Sequence, residues 1–579
     1  MSDYSTVPFD SVKLAEGFWK RRLEINRAVT AKAVYDRFSE THRFDALDCR
    51  LYDGMGYEPH IFWDSDVAKW LEGAAYLLAE RKDCELERIC EGLIEKIIEN
   101  QTDDGYFNSY YLAVEPENRF TRRENHELYC AGHLIEAAIA YRAATGKDEF
   151  LTAMRRYADL ICKVFYVDKS AAFATPGHPE IELALFRLYD VTGDEKYANL
   201  AKYFLDIRGN NEKDIPNPEF RVEFDQSHKP LKEQTVAEGH AVRAGYIYSA
   251  MADAALRFDD AEYASVCKRL FDNIATRRMY ITGGIGSTAS GEAFTEDYDL
   301  PNESAYAETC AAIALAYFSR RMLLLKPDSK YADTVERIMY NGMLSGISLE
   351  GDRFFYTNPL EVSLPGIERS KMFYCSCCPP NIFRFIASIT ESFYTYNEDT
   401  LYIHQFAAST ANVRGAAVSQ TTSYPANGEV KIVIGGGFEK AAIRIPFWCR
   451  AFSVSEPYVL KDGYAEVAVP ENGEITVSFD MPPRFVESDP HVRENAGKRA
   501  VMRGPVVYCI EGKDNGGGFD SLSLMDDASF EEELSDTIGV SLLKTKGLRS
   551  GTPVPLTFIP YFAFADRGPD EMKVWIKMG

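Results

Sequence analysis

The sequence predicts a multidomain α plus β protein, an (α/α)6 toroid followed by β-sandwich domains. Up to about residue 395, apolar residues recur with the period of an α-helix in twelve segments. Beyond about residue 397 the apolar runs become short and rich in β-branched and aromatic residues, with Gly, Pro, Asn and Asp between them. Twelve helices arranged as six hairpins favour a toroid, in which an inner ring surrounds a central cavity. An open α-solenoid is the alternative arrangement.

The helical segments follow one another with short connections. They are expected at about 11–37, 66–81, 84–100, 126–145, 148–165, 178–191, 194–207, 236–256, 259–277, 303–323, 330–344 and 379–393. Two hairpins repeat one unit, in which an apolar helix ends in Thr-Gly at Gly146 or Gly193 and an acidic residue begins the next helix. Glycine is the usual C-cap and acidic residues stabilise a helix N-terminus, so this repeat predicts antiparallel helix pairs.

The change of pattern gives the predicted domain limits. We expect a helical domain over 11–396, a β-sandwich over 397–485 and a second β-sandwich over 486–579 that includes residues 1–10. Strands such as "EVKIVIGG" and "KAAIRIPFW" place the first sandwich directly after the helices.

Charge and composition exclude several classes of partner. The chain has 579 residues and a net charge of −24, which disfavours nucleic acid and anionic membranes as partners. The N-terminus has no basic segment followed by an apolar one, and no apolar run is long enough to cross a bilayer. We therefore expect a cytoplasmic protein whose twelve cysteines do not form a disulfide framework. A homodimer is compatible with the sequence.

Five loops that lead into helices are unusually aromatic and polar. Trp, Tyr and Phe beside Asp, Asn, Glu and His suit a sugar, because the rings cover C–H patches and the polar groups bind hydroxyls. Each loop alone is also explained as a capped helix start. The loops are "GYEPHIFWDSDVAKW", "QTDDGYFNSYY", "RRENHELYCAGH", "FATPGHPEIE" and "TVAEGHAVRAGY".

Cysteines crowd into one short stretch, "FYCSCCPPNIFRF", which contains Cys375, Cys377 and Cys378. Upstream, "ESAYAETCAAIALAYF" offers Glu308 and Cys310 at the start of a helix. Zinc binds four such ligands at about 2.0–2.3 Å. The pattern therefore predicts a composite metal site of Glu308, Cys310, Cys377 and Cys378. A catalytic metal, a structural metal and reduced, packed thiols all remain open on spacing alone.

The spacing of these ligands requires irregular helix starts. Residues i and i+2 point about 200° apart on a regular helix, so Glu308 and Cys310 can share a metal only in or before the first turn. Pro379 is expected to hold Cys378 outside the helical region and to occupy the first position of the following helix. Thiolates are favoured at such an N-terminus.

The chain resembles glycoside hydrolase family 127, the β-L-arabinofuranosidase family, and its relative, family 146. The similarity extends over most of the chain, in short stretches that occur in order. These are "FWDSDVAKWLE", "DGYFNSYY", "HELYCAGHLIEA", "GHPEIELAL", "EGHAVRAGY", "AYAETCA", "CSCCPPN", "RGPVVYCIE" and "RGPDEMKVWIK".

The resemblance implies a fold, a cofactor and a set of site residues. It implies an (α/α)6 catalytic domain, Zn²⁺ bound by Glu308, Cys310, Cys377 and Cys378, and an oligosaccharide or glycoside substrate. Cys377 matches the family's nucleophile and Glu292 its general acid/base. The residues that match the family's sugar-binding positions are His126, His178, His240 and Tyr356. Cys375 matches a residue close to the metal that is not a ligand, and His133 is expected to be structural.

The implied chemistry agrees with the residue types. A zinc-bound thiol is deprotonated and can attack an anomeric carbon, while a glutamic acid protonates the departing oxygen. We expect Glu296, Asp297 and Asp299 to help keep Glu292 protonated. The alternatives are the same mechanism on an acidic pectic or other furanoside sugar, a non-catalytic zinc-stabilised carbohydrate-binding protein, and another toroid enzyme such as a sugar epimerase or an unsaturated glucuronyl hydrolase.

Overall fold

The computed structural model describes residues 4–579 and places the helices before most of the strands. Within these residues no helix is both long and apolar enough to cross a membrane. The α-helices are α1 (Phe18–Ile25), α2 (Ala31–Glu40), α3 (Trp63–Glu80), α4 (Cys84–Asn100), α5 (Ser109–Ala113), α6 (Glu127–Thr145), α7 (Glu149–Ile161), α8 (Ile181–Thr192), α9 (Glu195–Ile207), α10 (Ala241–Phe258), α11 (Ala261–Asn273), α12 (Thr309–Leu325), α13 (Ser329–Arg337), α14 (Cys378–Ala387) and α15 (Gly512–Asn515).

One compact unit consists of Asn26–Phe271 and Tyr374–Ser388. In it α3 packs on α6, α6 on α8, α8 on α10, and α14 packs on α3. Helices α3, α6 and α10 are buried on nearly every side, whereas α4 buries a single stripe of residues. This difference explains why apolar residues occur on every face of the former, among a few buried polar side chains, and why α4 is amphipathic. Alternate helices of the sequence therefore form an inner set, as expected for helical hairpins.

Small residues allow the inner helices to approach closely. A Cβ atom at Gly73 of α3 would lie 2.5 Å from the ring of Phe383 in α14. Gly146 and Gly193 lie at the C-terminal ends of α6 and α8, with φ values of 75° and 70°. These left-handed conformations confirm the predicted C-caps.

The second compact unit contains residues 4–25, Asp272–Phe373 and Ile389–Gly579, and all the described strands belong to it. The strands are β1 (Ser5–Thr6), β2 (Val12–Leu14), β3 (Glu361–Val362), β4 (Tyr394–Tyr396), β5 (Thr400–Ile403), β6 (Ser409–Val413), β7 (Ala416–Thr422), β8 (Glu429–Gly435), β9 (Lys440–Arg444), β10 (Phe452–Val454), β11 (Tyr458–Lys461), β12 (Tyr464–Ala468), β13 (Glu474–Phe479), β14 (Arg484–Val486), β15 (Lys498–Arg503), β16 (Val506–Glu511), β17 (Leu522–Leu524), β18 (Glu531–Ser535), β19 (Val540–Arg549), β20 (Thr552–Pro560), β21 (Met572–Lys573) and β22 (Ile576–Met578).

Two six-stranded sheets form the first sandwich, in the orders β1-β4-β5-β9-β12-β11 and β10-β13-β8-β7-β6-β2. The amide of Gln420 in one sheet donates to the hydroxyl of Tyr394 in the other at 2.7 Å. Strand β8 alternates buried and more exposed residues, as expected when one face of a sheet covers a core. A ten-stranded sheet contains β3 and β14–β22, with β18 paired to β19.

The N-terminal segment differs from the prediction. It was assigned to the second sandwich, but β1 pairs with β4 and β2 pairs with β6, both in the first sandwich. Residues 1–3 lie outside the described residues. The helix expected from residue 11 begins only at Phe18, because Val12–Leu14 is taken up as an edge strand. Such long-range pairing overrides a local helical pattern.

Candidate active site

Cys377 and Cys378 lie at the start of α14. Cys378 is the first helical residue and is buried, and Cys377 is the N-cap, with φ −69° and ψ −36°. The prediction that Pro379 would hold Cys378 outside the helix was wrong by one residue. First-turn N–H groups have no acceptor within a helix, so Pro379 and Pro380 both fit inside the first turn. The two Sγ atoms are 3.8 Å apart.

Glu308 and Cys310 occupy the start of α12, as the spacing predicted. Glu308 is the N-cap, with φ −58° and ψ 137°, and Cys310 is the second helical residue. Both side chains are buried. The extended backbone at Glu308 turns its carboxylate away from the direction that a helical residue would give it.

The segment around residue 356 fixes this helix start. The N–H of Thr309 donates to the carbonyl of Tyr356 at 2.9 Å, and its hydroxyl donates to the carbonyl of Phe355 at 2.8 Å. The amide of Asn358 donates to the carbonyl of Ala307 at 2.9 Å. These bonds link the metal-ligand candidates to the segment that carries Tyr356.

The four predicted ligands form one group. Glu308, Cys310, Cys377 and Cys378 each offer a donor atom, and the four atoms all lie within 4.8 Å of one another. All twelve cysteines, each within the described residues, are free thiols. Two sulfurs on a tetrahedral zinc are about 3.8 Å apart when each zinc–sulfur bond is about 2.3 Å. The Cys377–Cys378 separation therefore fits a shared metal, and the group could bind one.

Glu292 lies in a short 3₁₀ turn, Ser290–Glu292, with φ 50°. The hydroxyl of Tyr306 donates to its Oε1 at 2.6 Å, and the hydroxyl of Tyr356 donates to the same oxygen at 3.3 Å. Donor atoms of Glu292, Glu308 and His240 also lie within 4.8 Å of one another. The predicted acid/base residue is therefore adjacent to a predicted metal ligand and to a predicted sugar-binding histidine.

One expected neighbour of Glu292 has other partners. Asp297 accepts hydrogen bonds from Arg278 at 2.6 Å and Arg277 at 2.9 Å. Although partial burial acts to raise its pKa, the bonds to Arg278, Arg277 and Asn273 hold the pKa of Asp297 below its usual range. Because its charge is balanced by two arginines, we no longer expect Asp297 to favour protonation of Glu292.

The three predicted sugar-binding histidines form a row at helix starts. His126 is the N-cap of α6 and has φ 58°, and His240 is the N-cap of α10. The ring centroid of His178 is 5.8 Å from that of His126 and 5.8 Å from that of His240. Tyr129 packs against His178 at 4.3 Å. The structure thus brings these three residues together.

Local hydrogen bonds define which ring nitrogens carry protons. Nδ1 of His240 accepts from the N–H groups of Val242 and Arg243 at 3.2 and 3.4 Å, so the neutral ring carries its proton on Nε2. Nδ1 of His178 lies 2.8 Å from the carbonyl of Pro179, which can only accept, so Nδ1 is the protonated nitrogen there. One histidine therefore offers a donor at Nε2 and the other an acceptor.

Burial and a nearby guanidinium keep the imidazoles of His126 and His178 neutral. Burial, followed by the charge of Arg243, lowers the pKa of His126 to about 3 and that of His178 well below its usual range. Arg243 is itself buried, donates to the carbonyl of Gly177 at 2.8 Å and stacks on Phe224 at 4.2 Å. Uncharged rings are suited to hydrogen bonding with hydroxyl groups.

His133 occupies a different layer from these rings. It is fully buried two turns inside α6, and its Nδ1 lies 3.0 Å from a carboxylate oxygen of Glu180. Its structural role remains a prediction that agrees with this burial.

Two residues that contact the candidate site, Tyr306 and Arg243, were not singled out from the sequence. Tyr306 supplies the shorter hydrogen bond to Glu292, although it stands inside the motif "AYAETCA" and two residues before Glu308, which was a usable signal. Arg243 in "EGHAVRAGY" follows His240 by three residues, which places both in the first turn of one helix.

Comparison with known proteins shows that the chain is a glycoside hydrolase. Residues 11–391 match the catalytic domain of the family described as β-L-arabinofuranosidase, GH127, and residues 483–577 match the C-terminal domain of glycoside hydrolase family 127. The chain therefore belongs to glycoside hydrolase family 127. The predicted fold class, a helical catalytic domain followed by β domains, is confirmed by the element order and by structures of this family.

Similar proteins cover the chain from end to end. A non-reducing end β-L-arabinofuranosidase from Bifidobacterium longum subsp. longum is 36% identical over 98% of this chain and 99% of its own. A GH127 β-L-arabinofuranosidase from Geobacillus stearothermophilus T6 has a structure that superposes with a TM-score of 0.93, at 40% identity, over 98% of this chain and all of its own. A further GH127 β-arabinofuranosidase gives a TM-score of 0.92 at 36% identity, over 100% of this chain and 98% of its own.

Proposed function

We propose that this protein is a retaining exo-glycosidase that hydrolyses terminal β-L-arabinofuranosides. The single observation that carries the proposal is the donor group of Glu308, Cys310, Cys377 and Cys378, with Glu292 beside Glu308. The names of the full-length relatives support the choice of sugar. The domain limits predicted from the sequence, 11–396 for the catalytic domain with sandwiches at 397–485 and 486–579, remain part of the proposal, except that β2 pairs with β6, and β4 with β5, within the first sandwich.

The donor set suits Zn²⁺. Three thiols and one carboxylate match the soft and borderline ligands that zinc accepts, and their mutual spacing fits a tetrahedral site. Glu308, Cys310, Cys377 and Cys378 would hold the ion. When bound, zinc keeps the coordinating thiols deprotonated at neutral pH.

Cys377 is the proposed nucleophile because it is the more exposed of the two thiols at the start of α14. Its sulfur attacks the anomeric carbon, so that a C–S bond forms as the C–O bond to the leaving group breaks. Glu292 donates its proton to the departing oxygen. The product of this first step is a sugar linked covalently to Cys377.

The second step restores the protein. Glu292, now a carboxylate, removes a proton from a water molecule, and the water oxygen attacks the anomeric carbon from the face that the leaving group occupied. The C–S bond breaks and its electron pair returns to sulfur. Two successive inversions give retention of configuration, as in glycosidases that use two carboxylates.

Tyr356, His126, His178 and His240 are the proposed sugar-binding residues. Tyr356 and Tyr306 orient Glu292 through bonds to one carboxylate oxygen. His240 and His178 present opposite ring nitrogens as donor and acceptor, which matches the dual character of a hydroxyl group. The neutral rings of His126 and His178 avoid a fixed charge opposite an uncharged furanose.

The proposal is tested with an aryl β-L-arabinofuranoside and two variants. Cys377→Ser and Glu292→Gln should each lower kcat by at least about a thousandfold, because each removes a group that acts at the reacting bond. Glu292→Gln should keep one zinc per chain by elemental mass spectrometry, since Glu292 is outside the proposed ligand set. Normal turnover by either variant would exclude the assigned role.

A substrate panel tests the sugar separately. Aryl glycosides of L-arabinofuranose, D-galactofuranose and acidic pectic sugars should be compared, each with and without a chelator and a reductant. We expect hydrolysis of the β-L-arabinofuranoside alone, and loss of that activity after zinc is removed. Faster hydrolysis of another glycoside would show that the substrate is a different sugar. The proposed mechanism would still be tested by Cys377→Ser and Glu292→Gln.

A further inference from the structure

An isolated cation is buried in α3. Lys69 is 1% exposed, and its ammonium has no hydrogen-bond partner among the described residues. The nearest group recorded for it is the ring of Tyr129, 4.9 Å from Nζ. A buried ammonium without an ionic partner is costly, so such a residue is rarely retained without a compensating negative charge.

The thiol-bearing loop passes over this part of α3. Arg43 joins Asp66, one turn before Lys69, to the carbonyl of Tyr374, with bonds of 2.9 and 3.2 Å. Gly73, one turn after Lys69, lies against Phe383 of α14. Lys69 is thus flanked by two contacts with the segment that contains Cys375, Cys377 and Cys378.

Neighbouring cations are already matched with acids. Arg43 pairs with Asp66 at 2.9 Å, and Arg384 pairs with Glu72 at 2.6 Å. Lys69 differs from both because no carboxylate lies within ion-pair distance of it in the part of the chain that is described. The charge that balances Lys69 therefore does not come from a direct ion pair with a carboxylate of the described residues.

A loaded metal site would supply that charge. A divalent cation held by three thiolates and one carboxylate carries a net charge of about −2. We propose that Lys69 is the buried counter-charge of this thiolate cluster, a positioning residue that strengthens metal binding through its electric field. This inference rests on the metal site of the proposed function, and not on the identity of the sugar.

Two other roles fit the contacts less well. Direct binding of a sugar hydroxyl would require an accessible ammonium, but Nζ has essentially no accessible surface. A purely structural role would require hydrogen bonds to neighbouring groups, but among residues 4–579 the only contact recorded for Nζ is that with the Tyr129 ring. A long-range electrostatic role requires neither.

The test compares Lys69→Met, Lys69→Arg and the surface control Lys32→Met, whose lysine is 72% exposed in its side chain. Zinc affinity is measured by competition with a chromogenic chelator, and thermal unfolding is followed with and without zinc. We expect Lys69→Met to weaken zinc binding by about 10- to 100-fold, the range for residues that support metal ligands. Lys69→Arg, which keeps the charge, should retain most of the affinity, and Lys32→Met should match the wild type.

The effect of Lys69→Met on thermal stability should differ between the zinc-free and the zinc-bound protein. Without zinc, Lys69→Met should be at least as stable as the wild type, because a buried unpaired charge is removed. With zinc, its stabilisation by the metal should be smaller than that of the wild type. An unchanged zinc affinity in Lys69→Met, or a loss of affinity in Lys69→Arg as large as in Lys69→Met, would overturn the inference, as would a wild-type chain that binds no zinc. Should Lys69→Met not fold, Lys69→Gln is measured in its place.

Activity is not the readout of this test. If the wild type binds zinc but hydrolyses no β-L-arabinofuranoside, the proposed function fails while the zinc titration still decides the role of Lys69. If hydrolysis is observed and Lys69→Met binds zinc normally, only the inference about Lys69 fails.

Discussion

The hydroxyl of Tyr306 and Oε1 of Glu292 are 2.6 Å apart, and the hydroxyl of Tyr356 reaches the same oxygen at 3.3 Å. Glu292 has a left-handed backbone conformation at the end of a glycine-containing turn, so its own backbone gives the side chain little support. Two phenols on separate segments therefore hold one carboxylate in place.

Tyr306→Phe should lower kcat on an aryl β-L-arabinofuranoside by about 10- to 100-fold, because Glu292, the proposed acid/base residue, would lose the shorter of the two bonds that orient it. KM should change less than kcat, since the ring is retained. Tyr356→Phe should affect kcat less through this bond, which is longer. A KM effect of Tyr306→Phe with unchanged kcat would contradict the orienting role.

Arg384 in α14 and Glu72 in α3 form a buried ion pair with an N–O distance of 2.6 Å, and Arg384 also donates to the hydroxyl of Tyr246 at 2.9 Å. Arg384→Met should reduce the free energy of unfolding by up to about 3–5 kcal/mol, because buried Glu72 then keeps only the Tyr76 hydroxyl at 2.7 Å and the more distant Arg187 at 3.8 Å. Urea denaturation measures this loss.

The exposed pair Arg142 and Asp148 provides the control for this ion pair. Arg142→Met should change stability by less than about 1 kcal/mol. The double variant of Arg384→Met with Glu72→Met should recover part of the loss, since it removes both charges. Equal effects of Arg384→Met and Arg142→Met would show that the buried pair does not hold α14 on α3.

Acid should destabilise the protein through His126. Its pKa is about 3 in the folded state, with burial as the main cause, against about 6.5 in an unfolded chain. The unfolded state therefore takes up a proton first as the pH falls below about 6.5, and this group reduces stability by up to about 1.4 kcal/mol per pH unit until about pH 3. Above about pH 6.5 it has no effect.

His126→Asn removes this proton uptake, and Asn tolerates the left-handed backbone found there. Urea denaturation at pH 7.5 and pH 5.0 should show a smaller loss of stability in the variant than in the wild type. The exposed His491 provides the control, and His491→Asn should alter the difference less than His126→Asn does. An identical pH dependence in the wild type and His126→Asn would refute this assignment.

Gly73→Ala should separate α3 from α14. The new Cβ would lie 2.5 Å from the Phe383 ring and 3.1 Å from the Cα atom of Arg384, so the helices must move or the ring must turn. We expect a loss of about 1–3 kcal/mol in unfolding free energy. The matched control is Gly92→Ala in α4, which meets nothing within 4 Å and should stabilise the chain by about 0.5–1 kcal/mol.

Many helix ends could be predicted from the sequence because they depend on residues close to them in the chain. Gly146 and Gly193 act as caps where the sequence placed them, and Glu308 and Cys310 lie in the irregular helix start that their spacing demanded. The family resemblance alone pointed to Glu292 as the acid/base residue, a role that stays a prediction, because a glycine-rich loop does not distinguish it from a surface glutamate.

The features that the sequence did not predict depend mostly on contacts between residues far apart in the chain. The N-terminal strands pair with β4 and β6, almost 400 residues away, and no local pattern encodes that choice. The negative charge of Asp297 is balanced by ion pairs with Arg277 and Arg278. The lack of an ionic partner for Lys69 among the described residues is visible only in the structure. The five-residue helix α5 is too short to give a period.

His240 is the N-cap of α10, which affects how the sequences of homologous proteins are interpreted at this position. Its Nδ1 does the work that Asp, Asn or Ser does in most helices, so a homologue with one of those residues would keep the same helix and lose only the imidazole. If His240 binds the sugar as proposed, one substitution at position 240 would therefore give a protein that folds normally and binds its substrate poorly. Fold and overall identity would not reveal this loss, whereas the residue at position 240 would.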